Sequence, residues 1–244
     1  MNAFQPYEIM APRQGAPGQN ILIVADHASN HVPAGIDLGV GDDVMAQHVA
    51  IDIGVASVSR LLCETLGCGA VLATVSRLVI DFNREEDAPG LIPATSDGIA
   101  IPGNAHADVE ARLAAFHRPY HDAVDRSLGA LEHPFILSLH SFTPSLASQP
   151  DQQRPWDIGI LYNRDDRAAR IAIPMLQQAG LHVGDQLPYS GTLLNATMNR
   201  HAEAPGRPYL GVEMRQDRVA DEAGAARMAA ILAPVVLACS NSLA

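Results

Sequence analysis

The stretch Ile21-Leu22-Ile23-Val24-Ala25-Asp26-His27-Ala28-Ser29-Asn30 decides how this chain is read. Five apolar residues in succession, three of them β-branched, are too short a run for a buried helix and suit a strand covered on both faces. A strand of that kind belongs to a largely parallel sheet. It hands Asp26 and His27 to the loop at its carboxyl end, where open α/β sheets bind their ligands.

Outward from this strand the same pattern recurs. Strands are predicted over Gly69–Val75, Leu78–Asp81, Phe135–His140, Asp157–Tyr162 and Pro208–Met214, and segments of helical period over Asp42–Leu66, Asn104–Leu131, Asp165–Gly180 and Asp221–Cys239. The second of these segments carries a stripe, Val109, Leu113, Phe116, Tyr120, Val124, Leu128 and Leu131, at steps of three or four residues. Gly180 fits a helix stop. No repeat or linker divides the 244 residues. The expectation is one domain over residues 1–244: a three-layer α/β fold with a mixed, mostly parallel sheet and helices on both faces. Two stretches rich in Pro, Gly, Ser and Thr, residues 88–104 and 143–155, are expected to be long loops that shape a site.

Composition narrows the function. Hydrophobic residues make up 48% and charged residues 18%, which argues against disorder. The net charge of −11, without any basic run, argues against nucleic-acid binding. An anionic ligand must therefore be drawn in by local arginines or a metal, against the field of the whole molecule. Three cysteines without C-x-x-C spacing supply no disulfide or zinc-knuckle framework. The N-terminus lacks the pattern of a signal peptide, and the most apolar segment, residues 228–240, is shorter than the roughly 20 residues that span a bilayer. These features predict a cytoplasmic protein with no membrane partner, a monomer or small homo-oligomer.

Polar residues of catalytic type collect at the predicted strand ends. His27 follows the first strand, Asn83 and Arg84 follow Asp81, His140 ends LSLH, and Glu213 and Arg215 lie in GVEMR. Two histidines on neighbouring strand ends suit a metal site, because neutral imidazole is the commonest protein ligand for such ions. Two His, one carboxylate and an open fourth position describe catalytic zinc, and Asp52, Asp26 or Glu213 is the candidate carboxylate. Each histidine alone has a plainer reading as a hydrogen-bonded core or turn residue. Asp52, inside the apolar run VAIDIGVAS, needs a partner if it is buried. The planar fork of Arg84 suits a substrate carboxylate, or else the neighbouring acids Glu85, Glu86 and Asp87. Glu213 and Arg215, two apart on a strand, share a face and would set a base beside a cation. His117 and His121 flank Tyr120 on the striped helix and are expected to cover helix–core contacts. His201, in the predicted loop before the Glu213 strand, is a candidate for substrate or transition-state binding. Serine-hydrolase, P-loop, dinucleotide and H-E-x-x-H motifs are absent.

Taken in order, ADHASNHVP, the Asp52 segment, SRLVIDFNRE, HRPYH, LSLHSFTP, PYSG and GVEMRQD resemble the N-formylglutamate amidohydrolase family over about residues 20–220. That family is distantly similar to zinc carboxypeptidases and aspartoacylases. The resemblance implies a phosphorylase/hydrolase-like, zinc carboxypeptidase-like fold, with zinc or another divalent transition metal on His27 and His140. It implies Asn83 and Arg84 as binders of a substrate carboxylate and Glu213 as general base. The peptidases place an acidic ligand three residues after the first His, where this chain has Asn30. Asp52 is taken as the third ligand and Asn30 as a residue beside the substrate, with Arg215 or His201 assisting at the developing oxyanion. The implied reaction is hydrolysis of a small anionic amide, N-formylglutamate foremost. A deacylase or peptidase acting on another N-acyl amino acid is the nearest alternative, and a non-catalytic ligand-binding protein is a more distant one.

Overall fold

The computed structural model describes residues 4–243. Its nine strands are β1 (Tyr7–Met10), β2 (Ile21–Ala25), β3 (Gly69–Ala73), β4 (Thr95–Ser96), β5 (Ile99–Ala100), β6 (Phe135–Phe142), β7 (Ile158–Leu161), β8 (Val183–Asp185) and β9 (Tyr209–Arg215). The helices are α1 (Asp42–Met45), α2 (Val55–Leu66), α3 (Val109–Arg112), α4 (Arg118–Gly129), α5 (Arg167–Gln178), α6 (Ala196–Met198) and α7 (Glu222–Leu243). Seven strands form one sheet in the order β1-β3-β2-β6-β9-β7-β8, and β4 pairs with β5 in a separate hairpin. The β3-β2-β6-β9 run is parallel, β1 and β7 are antiparallel to their neighbours β3 and β9, and β8 runs parallel to β7. The predicted α/β architecture with a mixed, mostly parallel sheet is the observed one.

Alternation along β2 shows how the layers form. Ile21, Ile23 and Ala25 point into a core shared with α2, α5 and α7, whereas Leu22 and Val24 point into a second core beneath α4. All five residues are buried. The two faces of β6 divide in the same way, and its second face carries Ser138 and His140 where the cavity lies.

Several predicted elements are corrected. Leu78–Asp81 is a buried turn segment with no strand partner among the described residues, so its apolar run reports burial without a strand. The helix expected over Asp42–Leu66 is two helices separated by residues 46–54. The break ends at Gly54, whose φ of +83° is left-handed; a Cβ there would meet the Val219 carbonyl oxygen at 2.3 Å. Asp52 therefore sits on a turn, with its backbone N–H donating to the His27 carbonyl. Edge strands β1 and β8 were not anticipated, being four and three residues long.

The last helix is also longer than the apolar segment suggested. At 22 residues α7 is long and apolar enough, by length and composition, to cross a membrane. Here it packs one face against α2 and α5, with Met228, Leu232, Val236 and Cys239 buried.

Candidate active site

Three side chains meet at the carboxyl end of the parallel strands. His27 follows β2, His140 is carried by β6, and Asp52 comes from the turn that precedes α2. The Nδ1 atoms of His27 and His140 both face Asp52 Oδ2, at 3.3 and 2.9 Å. One ligand atom from each of the three residues lies within 4.8 Å of the others, and all three residues are buried.

The far side of each ring is also occupied by a carboxylate. His27 Nε2 lies 2.7 Å from Asp81 Oδ1, and His140 Nε2 lies 3.4 Å from Asp26 Oδ2. Asp26 is fixed in turn by the Tyr120 hydroxyl, which donates to its other oxygen at 2.8 Å. Arg77 donates to Asp81 at 2.8 Å and to Asp52 at 3.3 Å, bridging the two acids. Carboxylates behind metal-ligating histidines set the tautomer and make the ring a better ligand.

Electrostatics tests whether a cation fits. Both nitrogens of His27 and Nδ1 of His140 lie within hydrogen-bond distance of a carboxylate, His140 Nε2 is buried beside Asp26 without a hydrogen bond among the described residues, and the two rings stand 5.0 Å apart between centroids. Burial opposes charge on His140, but Asp26 and Asp52 outweigh it and hold the ring protonated well above its usual range. For His27, burial and Arg77 oppose charge, and Asp81 and Asp52 prevail to raise it. Asp52 is likewise held far below the usual carboxylate range by His27 and His140, despite its burial. A divalent cation held by His27, Asp52 and His140 would supply beside the buried Asp52 carboxylate the positive charge that the protein otherwise draws from protonated imidazoles. The donor set of two imidazoles and a carboxylate is that of a catalytic zinc or similar site, so the residues fit the ion.

Glu213 stands beside this trio. It is the Cα partner of His140 across the β6–β9 pair and lines the same cavity, and its Oε2 is buried without a hydrogen-bond partner among the described residues. Burial pushes its carboxyl up to about 7; His140 pulls it down and Asp52 up. A base poised near neutrality with a free oxygen is suited to taking a proton from water.

The cavity is also lined by Asn83, Arg84, Arg77, His48 and Tyr189. The Asn83 side chain accepts from the Thr197 backbone N–H at 3.0 Å, and the Asn83 backbone N–H donates to Asp81, so the residue before Arg84 is fixed through both side chain and backbone. The structure thus brings together His27, Asp52, His140, Asn83, Arg84 and Glu213.

Three expected site residues lie elsewhere. Asn30 is exposed and donates to the Met45 carbonyl. Arg215 lies one step along β9 from the cavity, where Asp217, Asp157 and the Pro155 carbonyl hold it. His201 is wholly buried on an α-to-π helical turn rather than in a loop, bonded to His121 and Asp125. Asp26 stands behind His140 instead of between the histidines. Sequence reasoning missed Arg77 and Asp81. Their signal was an i, i+4 pair of opposite charges inside the apolar run 75–82.

A model of the N-formylglutamate amidohydrolase family matches residues 19–220. The chain belongs to that family. Among solved structures, a gene product of Agrobacterium tumefaciens is 31% identical, with a TM-score of 0.90 over 98% of this chain and 96% of the other. The N-formylglutamate amidohydrolase of Ralstonia eutropha JMP134 shares the fold at 20% identity, with a TM-score of 0.73 and 98% of each chain covered. A bacteriophage poly-gamma-glutamate hydrolase superposes with a TM-score of 0.50 at 11% identity, covering 99% and 91% of the two chains. No curated protein sequence matches the chain. Membership of this family makes the chain an amide-hydrolysing enzyme.

Proposed function

We propose that the chain hydrolyses N-formylglutamate to formate and glutamate with zinc, or another divalent transition metal, held by His27, Asp52 and His140. The observation that carries this reading is the convergence of two Nδ1 atoms on one Asp52 oxygen, with an unpartnered Glu213 oxygen in the same cavity. When bound, the ion supplies positive charge that acidifies a water molecule and polarises the carbonyl under attack.

The chain's own residues do the rest. Glu213 takes a proton from the water that attacks the formyl carbon and returns it to the amide nitrogen as the C–N bond breaks. Arg84, beside Asn83, binds a substrate carboxylate through its planar fork and so fixes the amide for attack. Arg77 holds Asp52 and Asp81 in place and adds fixed positive charge to the cavity wall. The small anionic substrate is thus attracted locally by a protein whose net charge is −11. The setting we assign is the cytoplasm.

The test is metal analysis with a substrate screen. Zinc near one equivalent, activity lost to a chelator and restored by zinc, and turnover of N-formylglutamate above N-acetylglutamate are expected. Full activity in chelator overturns the metal, and preference for the acetyl compound overturns the formyl substrate in favour of a deacylase.

A further inference from the structure

Ten histidines are present, and the site described above uses few of them. A second cluster lies behind Phe82. His121 Nε2 is 3.0 Å from the Phe82 carbonyl oxygen, His121 Nδ1 is 2.9 Å from His201 Nε2, and His201 Nδ1 is 2.8 Å from Asp125 Oδ1. His117 Nε2 is 3.0 Å from the Arg84 carbonyl oxygen, and its ring lies 4.4 Å from that of His121 between centroids. The carbonyls on either side of Asn83 are therefore both held by imidazoles. Two π-helical turns build the arrangement: Leu113–His117 leads into α4, and Asn199–Glu203 carries His201. Such wide turns are rare and concentrate at functional places.

Counting hydrogens along this row gives a definite result. A carbonyl oxygen only accepts, so His121 Nε2 carries a hydrogen. A carboxylate only accepts, so His201 Nδ1 carries one as well. Two neutral rings have only those two hydrogens, and their remaining nitrogens would then face each other at 2.9 Å as two lone pairs. We infer that His121 and His201 share one additional proton, balanced by Asp125, and that this protonated pair, with His117, is a positioning device for the Phe82–Arg84 backbone at the cavity wall.

The groups facing the pair divide by sign. Burial opposes the proton, lowering His201 and pushing His121 down to about 3. His117 and Arg200 oppose it too, while Asp125 and Asp26 favour it; Arg207 donates to the His201 carbonyl at 3.0 Å. The hydrogen count prevails over burial, because loss of the shared proton leaves either facing lone pairs or a broken bond to Phe82 or Asp125. Asp125 is the accessible end of the row, with its side chain 51% exposed. When the proton leaves, the tie on Phe82 slackens, and with it the placement of Asn83 and Arg84. This inference concerns the ground beneath those two residues and holds whichever amide the enzyme cleaves.

The test uses the full, metal-loaded chain labelled with nitrogen-15. At pH 7 the His121 and His201 rings are expected to show three protonated nitrogens out of four. Asp125→Asn, a surface change that leaves the core intact, should release the third proton at lower pH and speed hydrogen exchange at the Asn83 amide about tenfold. In the same variant, KM for N-formylglutamate should rise about tenfold near neutral pH with kcat within about twofold, a cost of ~1.4 kcal/mol in binding. Two protonated nitrogens at pH 7 in the unmodified chain overturn the inference. So does an Asp125→Asn protein whose ring spectrum and Asn83 exchange match the parent. The spectra and the exchange decide the matter even if N-formylglutamate proves not to be the substrate.

Discussion

His140 and Glu213 are direct partners across the central β6–β9 pair, so the second histidine of the proposed metal trio and the proposed base occupy adjacent points on inner strands of the sheet. Their separation is set by strand spacing, and no loop has to move to bring them together.

That fixed relation predicts a clean separation of roles. Glu213→Gln keeps the shape of the side chain and removes the base, so zinc content should equal that of the parent while kcat falls by roughly 10² or more. Metal analysis beside steady-state kinetics checks this. Unchanged turnover would remove Glu213 from the reaction.

The proposed metal trio predicts the opposite pattern. His140→Ala takes away a ligand and leaves Asp26 without its ring partner, so bound zinc and activity should be lost together. Asp52→Asn retains the size of the side chain and discards its charge, and should weaken zinc affinity on the order of 10-fold to 100-fold or more. Competition with a chromophoric chelator reads both variants.

Glu213 also predicts a pH dependence in the metal-free protein. Its carboxyl titrates near 7 in the fold, against an ordinary 4.5. Between those values the folded chain holds a proton that the unfolded chain has lost, so stability falls as pH rises through the interval. The penalty is absent below 4.5 and complete above 7, where it reaches up to about 3 kcal/mol. Glu213→Gln should therefore unfold at higher denaturant than the parent at pH 8 and at the same denaturant at pH 4. Coincident curves at pH 8 would show that the buried charge costs nothing.

Arg77 predicts a loss of stability as well as of activity. Replacing it with Met strips the cation from two buried acids, Asp52 and Asp81, whose side chains are only 3% and 6% exposed. The expected cost is about 3 kcal/mol, the low end of the range for breaking a buried pair, since Arg77 itself keeps 29% exposure. Chemical denaturation of the metal-free variant measures it. Arg84→Gln, on the more open cavity wall, should instead leave stability within about 0.5 kcal/mol and raise KM.

The fold was legible where burial and period coincide. β2, β6 and β9 are buried along nearly their whole length, and the stripe from Leu113 to Leu128 marks the helical run that covers one face of the sheet, although Val109 at its start is exposed and Leu131 at its end is only half-buried. Tyr7–Met10 and Val183–Asp185 are too short and too exposed to carry a strand signal. Leu78–Ile80 failed in the opposite way, since burial made it apolar although no strand pairs with it. At the site, His27, His140 and Glu213 could be read from residue type next to strand ends, whereas Asp52 was one of three candidate carboxylates until the family resemblance favoured it. Arg77 and Asp81 could not, because their role lies in a charge network joining the turn after β3 to the turn before α2. His201 was read as a loop residue because nothing in its spacing announces a π-helical turn.

The turn that delivers Asp52 has a consequence for how such an enzyme diversifies. Of the proposed metal ligands, His140 rides on β6 and His27 lies two residues past β2, whereas Tyr189, Asn195 and Thr143 on the cavity wall come from connecting segments. Insertions or exchanges in those connections can reshape that wall of the cavity while the residues on the strands stay untouched. One hydrolytic centre can in this way be fitted to successive amide substrates without being rebuilt.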